Sequence, residues 1–374
     1  MRIAFVVDGP IDQVSGGYIY DARVIDALRA RGDDVEVVSL PQGSTLRRML
    51  TNFDRRLLAR LSRSDIDVIV EDELSHPGLF GLNVRLRARS AVSMVSLVHH
   101  LRCSEPGSGI LRSVYRILER RYLRSVDAFI FNSQATRLAV EQIAAVRKPF
   151  VVAPPAGNRL PVRWSEEDTR RRCRAAGPLR LLFLGNLIRR KGLTTLLEAL
   201  AALPEGTASL AVVGDPTFEP GYAAAAVRYA ARLGLTSQVE WLGPLYDEAL
   251  AHQMSVSHAL VVPSEYEGFG IAYLEGMGFG LPAIATTAGG AAEVVHDGED
   301  GFLVPPGDAP ALARRLRRLC EDRSYLEQLS LGALRSYASH PTWEQTAESI
   351  RRFLADHMAT SHAAARFKLK EETA

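Results

Sequence analysis

Short apolar runs alternating with helix-period segments constrain this chain more than any other feature. Residues 3–7, 35–39, 68–70, 93–98, 128–131 and 150–152 are apolar runs, with helical patterns such as 20–31 and 112–123 between them. Strands apolar on both faces must be covered on both faces, and helical connections make them parallel. The alternation restarts at 179–184 and continues through 210–213, 239–241, 259–262 and 282–285. The expected fold is therefore α/β, with two Rossmann-like doubly wound domains facing a central cleft. Ligands in such sheets bind at the carboxyl ends of the strands. A length of 374 residues fits two cores. Ala153-Pro154-Pro155-Ala156-Gly157 reads as the hinge. The expected domains are 1–156 and 157–340, followed by a helix at 341–360 that crosses back to the first domain and a frayed tail at 361–374.

Composition excludes several classes. Hydrophobic residues at 47% and charged residues at 24% are those of an ordinary soluble globular protein. Cys103, Cys173 and Cys320 form no CxxC pair or Cys/His cluster, which points to reduced thiols and a cytoplasmic location rather than disulfides or zinc. The run at 3–7 is too short for a signal peptide, and no stretch approaches the roughly 20 apolar residues that span a bilayer. Residues 1–156 carry 22 Lys+Arg against 17 Asp+Glu, whereas the rest carries 23 against 26. The first half is thus the one suited to an anionic partner. No basic stripe with interleaved aromatics is present, so nucleic acid is not an expected partner.

The most informative stretch follows the apolar run 259–262. Glu267, Gly268, Phe269, Gly270 and Ile271 form a glycine-bearing turn that opens a helix, and Glu275 lies eight positions beyond Glu267. Glycines permit close backbone approach, and free N–H groups at a helix start suit a diphosphate. At about 1.5 Å rise per helical residue, the two carboxylates could address opposite ends of a nucleotide sugar. A second strand-to-loop junction, Gly185-Asn186-Leu187-Ile188-Arg189-Arg190-Lys191-Gly192, gathers three adjacent cations able to neutralise a diphosphate. Nearer the start, the loop from Asp8 to Gly16-Gly17 follows the first strand, and His99-His100 ends the run 93–98. A histidine there could bond sugar hydroxyls or help move a proton.

Together these segments resemble the family 4 retaining glycosyltransferases, the glycosyl transferases of group 1 with a GT-B fold. The resemblance covers most of the chain and includes Gly214-Asp215-Pro216, Trp241-Leu242-Gly243, Pro263-Ser264, the paired glutamates, Gly280-Leu281-Pro282, Gly289-Gly290 with Glu293, and Asp297-Gly298 through Gly301-Phe302-Leu303-Val304. It implies hexosyl transfer from a nucleotide-diphosphate sugar of UDP or GDP type by a metal-independent front-face reaction. Glu267 would lie beside the sugar and Glu275 would hold the ribose hydroxyls. Backbone N–H groups of Phe269 and Gly270, with Gly268 and Ile271 on either side, would meet the sugar and diphosphate. Lys191 would bind phosphate, Gly16 and Gly17 would approach it, and His99 would contact the sugar or acceptor. The base would sit near Gly243 and Leu245. The family places arginine after the glycine matched by Gly185, where this chain has Asn186; Arg190 is the expected substitute.

Other readings stay open from the sequence. A sugar-nucleotide epimerase shares the architecture, and a catalytically silent nucleotide-sugar-binding subunit would also retain it. The acceptor is unassigned among small molecules, glycans and lipids. Asp65-Ile66-Asp67 spells a D-x-D but reads as the polar entry to a strand, so no metal is expected. Residues 45–63 read as one amphipathic helix with Arg47, Arg48, Arg55, Arg56, Arg60 and Arg63 on its polar face. Such a helix fits either peripheral contact with the inner membrane face or packing on the domain core.

Overall fold

The computed structural model describes residues 1–11, 16–104, 109–160 and 164–372. The chain divides into two compact units, Met1–Pro155 with Trp343–Ala374, and Ala156–Thr342. The first holds a parallel sheet of β1 (Arg2–Asp8), β2 (Asp34–Leu40), β3 (Val68–Asp72), β4 (Ser93–Val98), β5 (Ala128–Phe131) and β6 (Phe150–Val152). Their order is β2-β1-β3-β4-β5-β6, so the direction of winding reverses between β1 and β3. Every residue of β3, β4 and β5 is buried, as expected of strands covered on both faces. The helix Gly16–Ala30 turns Tyr20, Asp21, Val24, Ile25 and Leu28 inward at helical spacing.

The second unit repeats the plan with β7 (Leu179–Leu184), β8 (Ala208–Val213), β9 (Val239–Gly243), β10 (Ala259–Val261), β11 (Ala283–Thr286) and β12 (Gly301–Val304). The order β12-β11-β10-β7-β8-β9 reverses between β7 and β10, the place where sheets of this kind form their crevice. β12 was not among the expected strands. Its apolar part is the three residues Phe302, Leu303 and Val304, and pairing with β11 makes it a strand.

Residues 45–63 are not one helix. They form Thr45–Leu50, a 3-10 turn Thr51–Phe53, and Arg55–Leu61. Asp54 causes the break: its carboxylate accepts the N–H groups of Arg56 and Leu57, starting a new helix. The buried Asn52 amide also donates to the carbonyls of Met49 and Pro77. The apolar residues then part company. Leu57, Leu58 and Leu61 enter the core, whereas Leu46, Leu50 and Phe53 are 73%, 63% and 74% exposed.

The last helix runs Trp343–Glu372, so the segment expected as a tail is helical. Its sequence is rich in Ala, Arg, Lys, Leu and Glu and lacks Gly and Pro, which accounts for the continuation. This helix packs on the first unit through Arg351 to Asp33 (2.7 Å), Arg31 to Glu348 (2.9 Å) and the Thr346 hydroxyl to the Pro154 carbonyl (2.7 Å). Asp65 and Asp67 serve structure: Asp65 pairs with Arg63 and Arg2, and Asp67 accepts the Arg2 N–H. Among the described residues no helix is long and apolar enough to cross a membrane.

Candidate active site

In the second unit, the loops after β7 and β10 meet at the reversal of strand order. Gly192 adopts φ +70°, and a Cβ there would lie 2.0 Å from the Pro263 carbonyl oxygen. Only glycine allows both the left-handed backbone and this approach. The Glu265 N–H donates to the Arg190 carbonyl (2.8 Å), and the Arg190 guanidinium donates to the Tyr266 carbonyl (2.8 Å). On the other side, the Gly290 N–H donates to the Glu267 carbonyl (2.7 Å). Gly289, at φ +78°, brings its backbone against Glu267, where a Cβ would stand 2.0 Å from that same carbonyl oxygen.

These constraints deliver Glu267 to the cations. Lys191 Nζ donates to Glu267 Oε2 at 2.7 Å, the Ser264 hydroxyl donates to the same oxygen at 3.0 Å, and Arg190 Nη1 stands 3.8 Å away. Burial alone would raise the Glu267 carboxyl, but Lys191 and Arg190 outweigh it and hold it at about 2. Burial in turn lowers the Lys191 ammonium, against the pull of Glu267. At neutral pH the site is therefore an ionised carboxylate ringed by cations. Such a group stabilises positive charge but holds no proton to donate.

The remaining expected residues of this unit fall around that centre. Gly185, at φ +153°, lies beneath the Lys191 stem, and Asn186 follows it. Arg190, proposed to replace the missing arginine, is at the carboxylate. Gly268 and Gly270 lie in the turn before the helix Ile271–Met277, and Phe269 is core, its ring 5.8 Å from that of His340. Only the Phe269 backbone can serve a ligand. Gly243 ends β9, and Leu245 packs against the core just beyond. Glu275 is buried in the helix, and Arg159 Nε donates to its Oε1 at 2.6 Å. Sequence reasoning missed Ser264 as a Glu267 partner and missed Arg159 altogether.

In the first unit, His99 follows β4 and is 6% exposed. Its Nε2 meets Asp21 Oδ1 at 2.9 Å, and its N–H donates to Glu73 Oε2 at 2.9 Å. Burial pushes the imidazole pKa down despite Asp72, so the ring is neutral. Gly17 packs on the ring, where a Cβ would lie 3.2 Å from His99 Cδ2. Gly16 begins the same helix, and Ser15 of that loop lies outside the described residues. Asp21, Asp72 and His99, all buried, offer ligand atoms within 4.8 Å of one another, and burial raises the Asp21 carboxyl well above its ordinary range. The one sequence signal for Asp21 was a carboxylate on the apolar stripe of its helix.

The model of glycosyl transferases group 1 matches residues 165–335, and that of the glycosyl transferase 4-like domain matches 18–156. The D-inositol 3-phosphate glycosyltransferase of Corynebacterium diphtheriae is 27% identical over 251 residues, which span 64% of this chain and 58% of that relative. The chain thus matches little more than half the length of that curated relative. Sucrose-phosphate synthase from Thermosynechococcus elongatus superposes with a TM-score of 0.81 at 23% identity, covering 96% of this chain and 99% of the other. The Anabaena protein HepE, solved with UDP-glucose, superposes with a TM-score of 0.73 at 21% identity, covering 95% and 100%. These structural likenesses show the GT-B fold.

Proposed function

Because this chain belongs to the family 4 glycosyl transferases of group 1, we propose that it moves a hexosyl group from a nucleotide-diphosphate sugar to an acceptor hydroxyl with retention of configuration. The observation that carries this reading is the Glu267 carboxylate held at about 2 between Lys191 and Arg190. Lys191 and Arg190 neutralise the departing diphosphate, supplying the positive charge that a divalent ion supplies elsewhere. Glu267 stabilises the positive charge that develops on the sugar. Because Lys191 and Arg190 hold it at about 2, it is too weak a base near neutral pH, and the acceptor's proton passes to the departing phosphate on the same face. The same property counts against epimerase chemistry, which needs an acid and a base at the sugar ring. A uridine donor is favoured by the likeness to HepE, whose structure holds UDP-glucose.

Thermal denaturation across UDP, GDP, ADP, CDP and dTDP in the presence of a chelator tests the donor assignment. A nucleotide at 100 times its dissociation constant adds about 2.7 kcal/mol, a shift of several degrees. UDP alone is expected to give that shift, with and without chelator, and Glu275→Ala is expected to abolish it. No shift with any nucleotide would overturn the donor assignment, and a shift without transfer activity would leave the silent-subunit reading in its place.

The exposed Leu46, Leu50 and Phe53 lie among the exposed Arg47, Arg55 and Arg56, a surface suited to anionic lipid. We include peripheral contact with the inner membrane face in the proposal on this ground. Flotation with phosphatidylglycerol vesicles in low salt is expected to carry the protein, and Leu46→Ser/Leu50→Ser/Phe53→Ser to leave it behind. Absence of flotation in the unmodified protein would refute the contact.

A further inference from the structure

The second unit contains a charged pair that the family resemblance does not assign. Glu275, the carboxylate given to the donor ribose, is 5% exposed and has Arg159 Nε at 2.6 Å from its Oε1. The arginine lies 116 positions earlier in the chain, in the segment that enters the second unit. Two anchors hold that segment in place. Gly157 presses on the helix Ile271–Met277, where a Cβ would come within 2.8 Å of the Leu274 carbonyl carbon and within 2.9 Å of its oxygen. Leu160, 3% exposed, joins the unit's core on the other side. Arg159 therefore sits between a close backbone contact and a buried leucine, and its side chain is itself only 17% exposed.

A carboxylate at this depth has lost most of its hydration and needs a compensating charge to remain an acceptor. It would also repel a nearby diphosphate if left unpaired. A guanidinium on one oxygen answers both requirements and restricts rotation of the carboxylate. We propose that Arg159 is a positioning residue for the donor's ribose, holding Glu275 through Oε1 so that Oε2 accepts the ribose hydroxyls. The proposal rests on the donor-site reading above. It makes Arg159 a determinant of nucleotide affinity and of ribose recognition, while the transfer step itself, which runs at Glu267, is little affected.

Calorimetric titration with UDP and 2′-deoxy-UDP tests this, using the unmodified protein, Arg159→Ala, Arg159→Lys, Glu275→Gln and the double variant Arg159→Ala/Glu275→Gln. Loss of one charge-assisted hydrogen bond predicts about tenfold to hundredfold weaker UDP binding by Arg159→Ala. The preference for UDP over the deoxy form is expected to shrink with it, and Arg159→Lys to restore part of both. The double variant is expected to bind no more weakly than the weaker single variant, because the two residues act as one unit. Steady-state rates are expected to place the Arg159→Ala defect in KM, with kcat within a few-fold. A pair that serves only to hold the fold would lower the melting temperature and leave the UDP to deoxy-UDP ratio unchanged; that result overturns the proposal. Should Arg159→Ala fail to fold, Arg159→Gln carries the same ratio measurement. An unmodified protein that binds neither nucleotide overturns the uridine donor reading itself, an outcome separate from a failure confined to the Arg159 variants.

Discussion

Lys191→Ala is expected to lower kcat/KM by about 10²–10³-fold, the usual cost of removing one preorganised group from a transition-state charge site. Lys191 is the nearest cation to Glu267, at 2.7 Å, and its stem runs over Gly185. In the proposed reaction the ammonium serves the diphosphate, whose negative charge grows as the glycosidic bond breaks. The effect should therefore fall on kcat as well as on KM. Arg190→Ala is expected to cost less, about tenfold, because its guanidinium is farther from the carboxylate and is anchored to the Tyr266 carbonyl. Lys191→Ala also leaves Glu267 buried beside a single, more distant cation, so the melting temperature should fall too. Initial rates with UDP-glucose as donor, with melting temperature beside them, separate the two effects. Turnover within threefold of the unmodified protein in Lys191→Ala would remove the ammonium from the mechanism. Unchanged turnover in Arg190→Ala would mean that Arg190 does not replace the arginine absent at Asn186.

The second large effect concerns stability against pH in the first unit. Burial lifts the Glu71 carboxyl from 4.5 to about 7, opposed by hydrogen bonds from Asn83 and Tyr122. Burial and then Asp21 lift Asp72 from 3.8 to about 7. Between the unfolded and folded values, the folded state holds protons that the unfolded chain has released. Stability from these groups is thus complete below pH 4 and is lost as pH rises through 7. Each pKa unit is worth about 1.4 kcal/mol, so the two groups together change stability by several kcal/mol over that span. Buried His76 and His258, both lowered to about 3, act in the opposite direction below pH 6.5. The informative quantity is therefore the difference between the unmodified protein and Glu71→Gln/Asp72→Asn.

That variant keeps the partners in place. The Asn83 amide donates to Glu71 Oε2, while Glu71 Oε1 and Asn83 Oδ1 are both buried without a partner. A glutamine amide or a protonated Glu71 supplies the missing donor. The variant is expected to gain stability relative to the unmodified protein steadily from pH 4.5 to pH 8, read as a widening difference in melting temperature. A difference that stays constant across that range would mean that Glu71 and Asp72 are ionised in the folded protein throughout.

How much of this was legible in the sequence depends on the range of the interaction concerned. Strands buried on both faces announce themselves as continuous apolar runs, because each residue meets the same surroundings whichever way it points. That is why β1 to β11 all lie within two residues of the expected runs at either end, and β4, β5, β6 and β7 match them. β12 escaped because its apolar run is short and its pairing with β11 makes it a strand. The Glu267 turn was legible because glycines at a strand-to-helix junction report a backbone requirement that is itself local.

Residues 45–63 mark the limit of that reading. Helical spacing placed Leu46, Met49, Leu50, Phe53, Leu57, Leu58 and Leu61 on one apolar face, but capping by Asp54 and the embedded Asn52 turned Leu46, Leu50 and Phe53 outward and Leu57, Leu58 and Leu61 inward. The sequence by itself determined two doubly wound parallel sheets, the loops that end their central strands, and the acidic and basic residues those loops carry. Only the tertiary structure decided which charges meet: Lys191 with Glu267 across 76 positions, His99 with Asp21 across 78, and Arg159 with Glu275 across 116. Local patterns follow from the conformational preferences of neighbouring residues. Charge pairing in a low-dielectric interior follows from which chain segments the packed core brings within about 3 Å of each other, and one sequence leaves no periodic trace of it.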